Sequence, residues 1–401
     1  MLTPLVAIAA MWMVGLRLPF MRSPAAPPAP EASPAAPHEG PSSAAPSGAV
    51  SPSPAASHRD PNTFRIAVDE RRIALLFLAL PKFIADHSND MAIECVVVPD
   101  AAQRWQMLAA NRIDAACGTL DSFVLASTRM SPGALLFETA TSTGFDALVT
   151  TRGESVAELK GKTIAVVSGG GGLRLLAYFL DSAKVLLSEI HFVDVDDPRD
   201  AVSLLRLKRV DAAVLWEPFV QTAVTECDAK VIARSSPALS WPTDICVVGY
   251  GALSNRRAEA MRFVQHWFEL EAALLKDRTL GIEMVARDAQ HPASEVASLL
   301  EHQHLLTLTD NKKLDPRSVF NEMQTLVDFW HITDLRNTSG PPPRSLERVV
   351  QLDLLQAIEI DSPAAHPTPV TPEPEMPSPS SAVSPGAASP AASSAPVAPS
   401  R

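Results

Sequence analysis

The chain has 401 residues, and its 45 acidic and 34 basic residues give a formal net charge of −11. A nucleic-acid-binding protein needs a concentrated basic face, and the sequence contains none, so we expect no nucleic-acid partner. Most of the 36 prolines fall in two flanks. The flanks leave roughly 300 residues between them, about the length at which one core gives way to two domains.

The N-terminal segment is apolar from Leu5 to Leu16 and is followed by arginines. This run is shorter than the ~20 residues that span a membrane and suits a signal peptide. We expect residues 1–22 to be a signal peptide or signal anchor. The chain would then be exported to the periplasm or another extracytoplasmic space, where it could stay anchored to the inner membrane.

The two flanks, residues 23–62 and 361–401, consist largely of proline, alanine and serine. Such segments have little apolar surface to bury, so we expect both to be disordered. If the N-terminal segment is retained, residues 23–62 would act as a membrane tether.

Residues 64–121 alternate between short β-branched runs and helix-period runs. The predicted strands are Phe64–Val68, Ile93–Val98 and Ile113–Cys117. The polar loop after the first strand carries Arg71 and Arg72, which could hold an acidic group bidentately. The loop after the third strand carries Thr119 and Asp121, which could cap the next helix or contact a ligand.

The stretch from Leu159 to Phe219 has a pattern typical of a parallel α/β unit. Its predicted strands are Ile164–Val167, Ile190–Val195 and Asp211–Leu215, and its predicted helices are Leu173–Leu180 and Pro198–Leu207. Such units bind ligands at the carboxyl ends of their strands. We therefore expect the glycine turn after Val167 and the pair Trp216-Glu217 to lie on one rim.

The glycine turn, residues 168–172, leaves the first amides of the next helix uncovered, and such a helix end favours an anion or a carbonyl oxygen. Ser168, Gly170 and Gly171 are the candidate ligand contacts. The alternative is a tight turn without a ligand. A phosphate-binding P-loop is excluded, because Leu173-Arg174 stands where Lys-Ser or Lys-Thr is needed, and no register gives G-x-G-x-x-G.

Trp216 and Glu217 follow the third strand of this unit. The indole of Trp216 offers a flat apolar wall and one donor, although a core tryptophan held by Pro218 fits the sequence as well. Glu217 could pair with an ammonium group of a solute or form a salt bridge across the cleft. A carboxylate beside the amides of the glycine turn would suit a zwitterion such as an amino-sulfonate.

The run Leu159 to Val166, the small-residue loop and helix, and the run Val210 to Pro218 resemble a known family. They are similar to the second lobe of the nitrate/sulfonate/taurine type of ABC-transporter substrate-binding proteins. The resemblance implies an α/β, two-lobed periplasmic-binding-protein fold with two crossover strands. We assign these crossovers to Thr143–Thr150 and Thr243–Tyr250. Lobe 1 would then comprise residues 63–145 and 247–360, and lobe 2 residues 146–246.

Helices dominate the remainder of the chain. The predicted helices are Asn255–Lys276, a helix from Asp315 to Trp330, and the amphipathic segment Leu346–Ile358. We expect the last of these to pack on the first lobe, although its apolar stripe could instead be a partner surface.

The resemblance implies a protein that captures a small anionic or zwitterionic molecule, such as a sulfonate, taurine or nitrate, for an ABC permease and its ATPase. Enzymes acting on sulfinates or thiamine-pyrimidine precursors share the fold, and Cys117 is where a nucleophile would lie. A tethered sensor or scaffold without transport is a third possibility.

We expect no catalysis, no cofactor and no metal site. The sequence contains no nucleophile elbow and no local triad signature. His302 and His304 are two residues apart, which would place them on opposite sides of a helix, with no further clustered ligands. The four cysteines allow three pairings, and their spacing selects none of them.

Overall fold

The computed structural model describes residues 62–71, 73–167, 170–236, 242–333 and 346–360. The predicted signal segment and the flanks before residue 62 and after residue 360 lie outside these residues, as do Arg72 and Ser168.

The described residues form eleven strands. They are β1 (Thr63–Val68), β2 (Ala92–Val97), β3 (Ala115–Thr119), β4 (Gly133–Ser142), β5 (Asp146–Thr150), β6 (Thr163–Val167), β7 (His191–Val195), β8 (Ala212–Trp216), β9 (Lys230–Arg234), β10 (Thr243–Gly249) and β11 (Gln303–Leu305).

The same residues form thirteen α-helices and three short 3₁₀ helices. The α-helices are α1 (Ala74–His87), α2 (Ala101–Ala109), α3 (Leu120–Ser127), α4 (Gly172–Ser182), α5 (Pro198–Arg206), α6 (Phe219–Cys227), α7 (Tyr250–Asn255), α8 (Arg257–Lys276), α9 (Arg278–Ala289), α10 (Ala293–His302), α11 (Leu308–Lys313), α12 (Pro316–Thr333) and α13 (Leu346–Val349). The 3₁₀ helices are Val156–Leu159, Leu187–Glu189 and Leu352–Ala357.

The strands form two sheets, ordered β11-β4-β10-β3-β1-β2 and β7-β6-β8-β5-β9. In the first sheet β1 is parallel to β2 and β3, whereas β10 is antiparallel to β3 and β4. The chain passes to the second sheet between β4 and β5 and returns between β9 and β10. We call residues 62–142 with 242–360 the first lobe and residues 146–236 the second lobe.

The predicted parallel unit of the second lobe is confirmed. Strand β6 lies between β7 and β8 and is parallel to both. Its apolar residues are buried because α4 and α5 connect the three strands, as crossover helices of a parallel sheet do. The carboxyl ends of β6 and β8 therefore lie on the same edge of the sheet, which brings the glycine turn and Trp216 to one rim.

The two lobes pack against each other. The first lobe has its own core, in which Phe77 of α1 stacks on Trp267 of α8 with ring centroids 3.9 Å apart. The apolar cluster of the second lobe that includes α4 also contains Leu125 of α3 and Trp330 of α12, which both belong to the first lobe. The lobes are therefore in contact through buried side chains, as in a closed form.

Several elements differ from the sequence-based expectations. Strands β4, β9 and β11 were not predicted. The segment Leu346–Ile358 is not one helix, because Val350 forms a β-bridge with Leu135 of β4 between α13 and the following 3₁₀ helix. His302 ends α10 and His304 lies in β11, so the two histidines are not on opposite sides of a helix. In the part of the chain that the structure describes, no helix is both long enough and apolar enough to span a bilayer.

Candidate functional site

The candidate site lies between the lobes, where four strands end. Loops after β1 and β3 come from the first lobe, and loops after β6 and β8 come from the second. A side chain on Gly171 would begin 3.1 Å from Pro242 and 3.5 Å from Asp121 Oδ2. The glycine turn thus directly faces Asp121 across the cleft.

Arg71 joins the two lobes through its buried guanidinium group. Its two terminal nitrogens donate to the carboxylate oxygens of Asp146 at 3.1 and 3.2 Å. Its Nε lies 3.1 Å from Asp244 Oδ1 in β10. The guanidinium carbon is also 4.8 Å from the ring centroid of Phe145 and 5.5 Å from that of Trp216. Arg71 and Trp216, both singled out from the sequence, therefore lie together.

The charge states around Arg71 follow from burial and from these pairs. Burial lowers the pKa of Arg71, but Asp146 and Asp244 outweigh it and raise the pKa above its usual value. Burial raises the pKa of Asp244 to about 7, although Arg71 opposes the rise. Gln303 Nε2 donates to Asp244 Oδ2 at 2.7 Å. Asp244 therefore changes its charge near neutral pH.

Asp121 forms a second ion pair across the cleft. Its Oδ2 accepts from Arg174 of α4 at 2.7 Å, and Arg174 also donates to Glu322 of α12 at 3.2 Å. Burial raises the pKa of Asp121, and Arg174 opposes this rise. Asp121 Oδ1 is buried and has no hydrogen-bond partner in the described chain. Thr119 is the N-cap of α3, because its hydroxyl accepts from the Ser122 amide at 3.2 Å.

The glycine turn is described from Gly170 onward, so the prediction for Ser168 falls outside the described residues. Gly171 is the N-cap of α4 and supplies no side-chain cap. A side chain on Gly170 would begin more than 4 Å from any atom of the described residues other than its chain neighbours. Uncapped amides next to open space can bind an anion or a carbonyl oxygen.

Trp216 ends β8, and Glu217 follows it at the rim. The Trp216 Nε1 atom is buried and has no hydrogen-bond partner among the residues described. Glu217 Oε1 lies 3.3 Å from the guanidinium of Arg234 in β9, and its Oε2 accepts from the Gln221 amide at 3.2 Å. Of the two alternatives for Glu217, the salt bridge across the cleft is not formed with Arg234, which belongs to the same lobe as Glu217.

Charged residues that the sequence analysis did not single out complete the site. Asp146 and Asp244 begin or flank apolar strands, and Arg174 interrupts the apolar run of α4. A charged residue inside an otherwise buried run is the signal that could have identified them, because an unpaired charge there would be costly. Arg104 is also buried and lies 3.6 Å from Asp69 in the loop after β1.

The site is rich in carboxylates. Six carboxylates pair with four guanidinium groups in these contacts: Asp69, Asp121, Asp146, Glu217, Asp244 and Glu322 with Arg71, Arg104, Arg174 and Arg234. The formal excess is two negative charges. Each of these guanidinium groups already has a carboxylate partner.

A cavity of about 310 Å³ opens beside this network at the mouth of the cleft. It is lined by residues of both lobes, including Glu70, Arg71, Leu75, Arg199, Pro218 and Phe219. A larger depression of about 900 Å³ lies beside α8 and α11 of the first lobe and touches none of the cleft residues. We take the smaller cavity as the entrance to the site, because of these two cavities it is the one that contacts Arg71.

The described part of the chain offers no clustered metal ligands, and the Cys117 thiol beside the site is buried. The described residues contain no group of three or more His, Cys, Asp or Glu side chains placed to hold a metal ion. Cys117 precedes the loop with Thr119, but it is buried, and burial together with the neighbouring Cys246 raises its pKa well above the usual value. A thiol is a poor nucleophile under these conditions.

Comparison with known proteins gives a short sequence match. No family model matches the chain. Over 83 residues it is 37% identical to candidate binding proteins of Brucella abortus and Brucella suis. The match covers 20% of this chain and 26% of each relative, so the chain spans about a quarter of the length of the curated relatives it matches.

Solved structures match over most of the described chain. The periplasmic aliphatic sulphonate binding protein SsuA of Escherichia coli has a TM-score of 0.56 and 18% identity, covering 71% of this chain and 96% of SsuA. The periplasmic nitrate-binding protein NrtA of Synechocystis has a TM-score of 0.56 and 12% identity, covering 74% and 87%. A DszB mutant in complex with biphenyl-2-sulfinic acid has a TM-score of 0.51 and 15% identity, covering 74% and 97%.

These structural neighbours share the two-sheet α/β architecture described above. The chain has the two-lobed periplasmic-binding-protein fold, and the resemblance found in the sequence is confirmed at the level of the fold.

Proposed function

We propose that the protein is an extracytoplasmic solute-binding protein that captures a small zwitterionic organic molecule, such as an amino-sulfonate, between its lobes. It would deliver this solute to an ABC permease driven by its ATPase. The observation that carries the proposal is the buried Arg71 guanidinium, which contacts carboxylates of both lobes beside the rings of Phe145 and Trp216.

The charge pairs favour a zwitterion over a simple anion. A bare anion that takes Arg71 must displace Asp146 or Asp244 and leave a buried carboxylate unpaired, which is costly. A zwitterion avoids this cost, because its ammonium group pairs with the displaced carboxylate while its anionic group pairs with the guanidinium. The Trp216 Nε1 donor and the uncapped amides at Gly171 offer further bonds to the anionic group.

Binding would act by closure of the two lobes. Four ion pairs link the lobes among the described residues: Arg71 with Asp146, Arg174 with both Asp121 and Glu322, and Arg199 with Glu70 at 2.8 Å. A solute that contacts residues of both lobes stabilises the closed form by its higher affinity for that form. The permease would then recognise the closed, loaded protein.

A thermal-shift screen tests this function. The full chain is heated with alkanesulfonates, taurine, nitrate, small carboxylates and pyrimidines, and the screen is repeated with Trp216→Ala. A ligand of the folded state at a hundred times its dissociation constant adds about 2.7 kcal/mol to the free energy of unfolding. Leu207→Ala, at a residue that is 67% exposed, is the matched control. We expect the ligand to raise the unfolding midpoint of Leu207→Ala but not that of Trp216→Ala. An equal rise in both variants would mean that the solute does not contact Trp216.

The observation that favours the enzyme alternative is the DszB neighbour of the same fold. The burial and raised pKa of Cys117 count against a nucleophile at that position. If the protein turns over a sulfinate and Cys117→Ser abolishes this turnover, the enzyme is supported. If Cys117→Ser leaves solute binding unchanged, transport is supported.

A further inference from the structure

Two cysteines of the first sheet face each other across neighbouring strands. Cys117 of β3 is directly opposite Cys246 of the antiparallel strand β10. Side chains of directly opposed residues point to the same side of a sheet. The two residues are 129 positions apart in sequence, so the fold alone brings these thiols together.

The spacing of opposed residues suits a covalent bridge. The Cα atoms of an antiparallel pair are about 4.5 or 5.5 Å apart, depending on the type of pair. A disulfide accommodates Cα separations of about 4.4–6.8 Å, so either type of pair meets the requirement. The neighbouring Cys246 thiol also contributes to the raised pKa of Cys117, which agrees with close contact of the two side chains.

Neither of the other two cysteines is directly opposite Cys117 or Cys246 in the sheet. Cys95 lies on β2, and β1 separates this strand from β3. Its thiol donates to the Phe77 carbonyl at 3.0 Å. Cys227 ends α6 in the second lobe, where its thiol donates to the Val202 carbonyl at 3.5 Å. Of the three pairings that four cysteines allow, the sheet register selects the one that includes Cys117 with Cys246.

We propose that Cys117 and Cys246 form a disulfide bond when the chain folds in an oxidising compartment. That the chain meets an oxidising compartment rests on the proposed extracytoplasmic function, whereas the ability of these two thiols to form a disulfide does not. The oxidant is a low-molecular-weight disulfide such as oxidised glutathione. One cysteine thiolate attacks it and releases one glutathione thiol, and the second cysteine then displaces the other. The products are the Cys117–Cys246 bond and two molecules of reduced glutathione, so two electrons and two protons pass to the oxidant.

The bridge would join the strands that carry two cleft residues. Thr119 follows Cys117 by two residues in β3, and Asp244 precedes Cys246 by two residues in β10. Both cysteines are buried, with 4% and 0% of their surface exposed. A bond at this position is therefore protected from reduction once the protein has folded, and it fixes the register of β3 against β10 beside the site.

The test is peptide mapping of the full chain after refolding in a buffer of oxidised and reduced glutathione. Free thiols are trapped with N-ethylmaleimide in denaturant at acidic pH, and the digest is analysed by mass spectrometry. We expect a peptide pair linked through Cys117 and Cys246, with Cys95 and Cys227 carrying the maleimide. Recovery of all four cysteines with the maleimide, or a link from Cys246 to Cys95, overturns the proposal.

Two variants keep this test independent of folding defects and of solute binding. The double variant Cys95→Ser/Cys227→Ser retains both reacting thiols and should give the same linked peptide. Cys117→Ser should leave Cys246 labelled, and its unfolding midpoint should be the same after refolding in dithiothreitol as after refolding in the glutathione buffer. For the double variant the midpoint should be lower after refolding in dithiothreitol, and equal midpoints contradict the bond. Failure to bind any solute would leave these results unchanged.

Discussion

Replacement of Arg71 by methionine tests the charge network of the cleft. The Arg71 side chain is 6% exposed and holds Asp146 and Asp244, whose side chains are 7% and 2% exposed. Arg71→Met removes the positive charge and leaves two carboxylates buried without it. Breaking a buried ion pair in this way costs about 3–5 kcal/mol of folding free energy.

A matched control separates this effect from the loss of any arginine between the lobes. Arg199 also links the lobes, through Glu70, but its side chain is 53% exposed. Solvent screens such a pair, so Arg199→Met should cost at most about 1 kcal/mol. The assay is urea unfolding followed by tryptophan fluorescence at pH 7.5, with both variants compared with the unmodified chain.

The difference between Arg71→Met and the unmodified chain should depend on pH. The folded pKa of Asp244 is about 7, raised from an ordinary value of 3.8. Asp244 therefore contributes stability that is fully present below about pH 4 and is lost as the pH rises through about 7. Without Arg71 the folded pKa rises further, so the cost of the substitution is largest at pH 7.5 and shrinks at pH 5, where Asp244 is protonated in both proteins. A cost no larger than that of Arg199→Met, or one that grows on acidification, refutes this reasoning.

Three further substitutions test single features. Burial and nearby Glu322 raise the pKa of Glu138 from 4.5 to about 8. Its contribution to stability is therefore complete below about pH 4.5 and is lost as the pH rises through about 8. Glu138→Gln should lose less stability between about pH 5 and pH 9 than the unmodified chain, and the same pH profile in both proteins would contradict this. Thr119→Ala should lower the free energy of unfolding in urea by about 1 kcal/mol, because it removes the N-cap of α3. Thr119→Ser keeps the capping hydroxyl and should retain most of this stability, so equal losses in the two variants would exclude the cap. Gly171→Ala should cost roughly 1–3 kcal/mol in the same assay, because its Cβ would lie 3.1 Å from Pro242. Gly170→Ala should cost less, because its Cβ would meet none of the described residues within 4 Å. The reverse order of costs would contradict the contact between Gly171 and Pro242.

The fold was predictable wherever one segment carried its own periodicity. The order β6-α4-β7-α5-β8 was predictable from local patterns, because each of these helices and strands buries the face on which its own apolar residues recur. Strand β4 was missed because it is buried along almost its whole length and shows no alternation of apolar and polar residues. The segment 346–358 has a helical stripe, but pairing of Val350 with Leu135 overrides it. This contact depends on a strand more than 200 residues away, which local propensity does not record.

The candidate site was predictable in position but not in its electrostatics. Strand ends and a glycine turn located Arg71, Gly171 and Trp216. The partners of Arg71 are Asp146, 75 residues away in the second lobe, and Asp244 in the return strand of the first lobe. The pairing with Asp146 depends on the closure of one lobe on the other. Sequence reasoning therefore placed a free arginine where the structure has a neutralised one. This difference narrows the proposed solute from an anion or a zwitterion to a zwitterion.

Isothermal titration of the full chain with three matched compounds tests the proposed recognition most directly. Taurine carries both charges, ethanesulfonate lacks the ammonium group, and ethylamine lacks the sulfonate. We expect heat of binding for taurine, with at least tenfold weaker affinity for each of the other two and loss of taurine binding in Arg71→Met. Ethanesulfonate that binds as tightly as taurine, or taurine binding that Arg71→Met leaves intact, would contradict recognition of a zwitterion by the paired charges of the cleft.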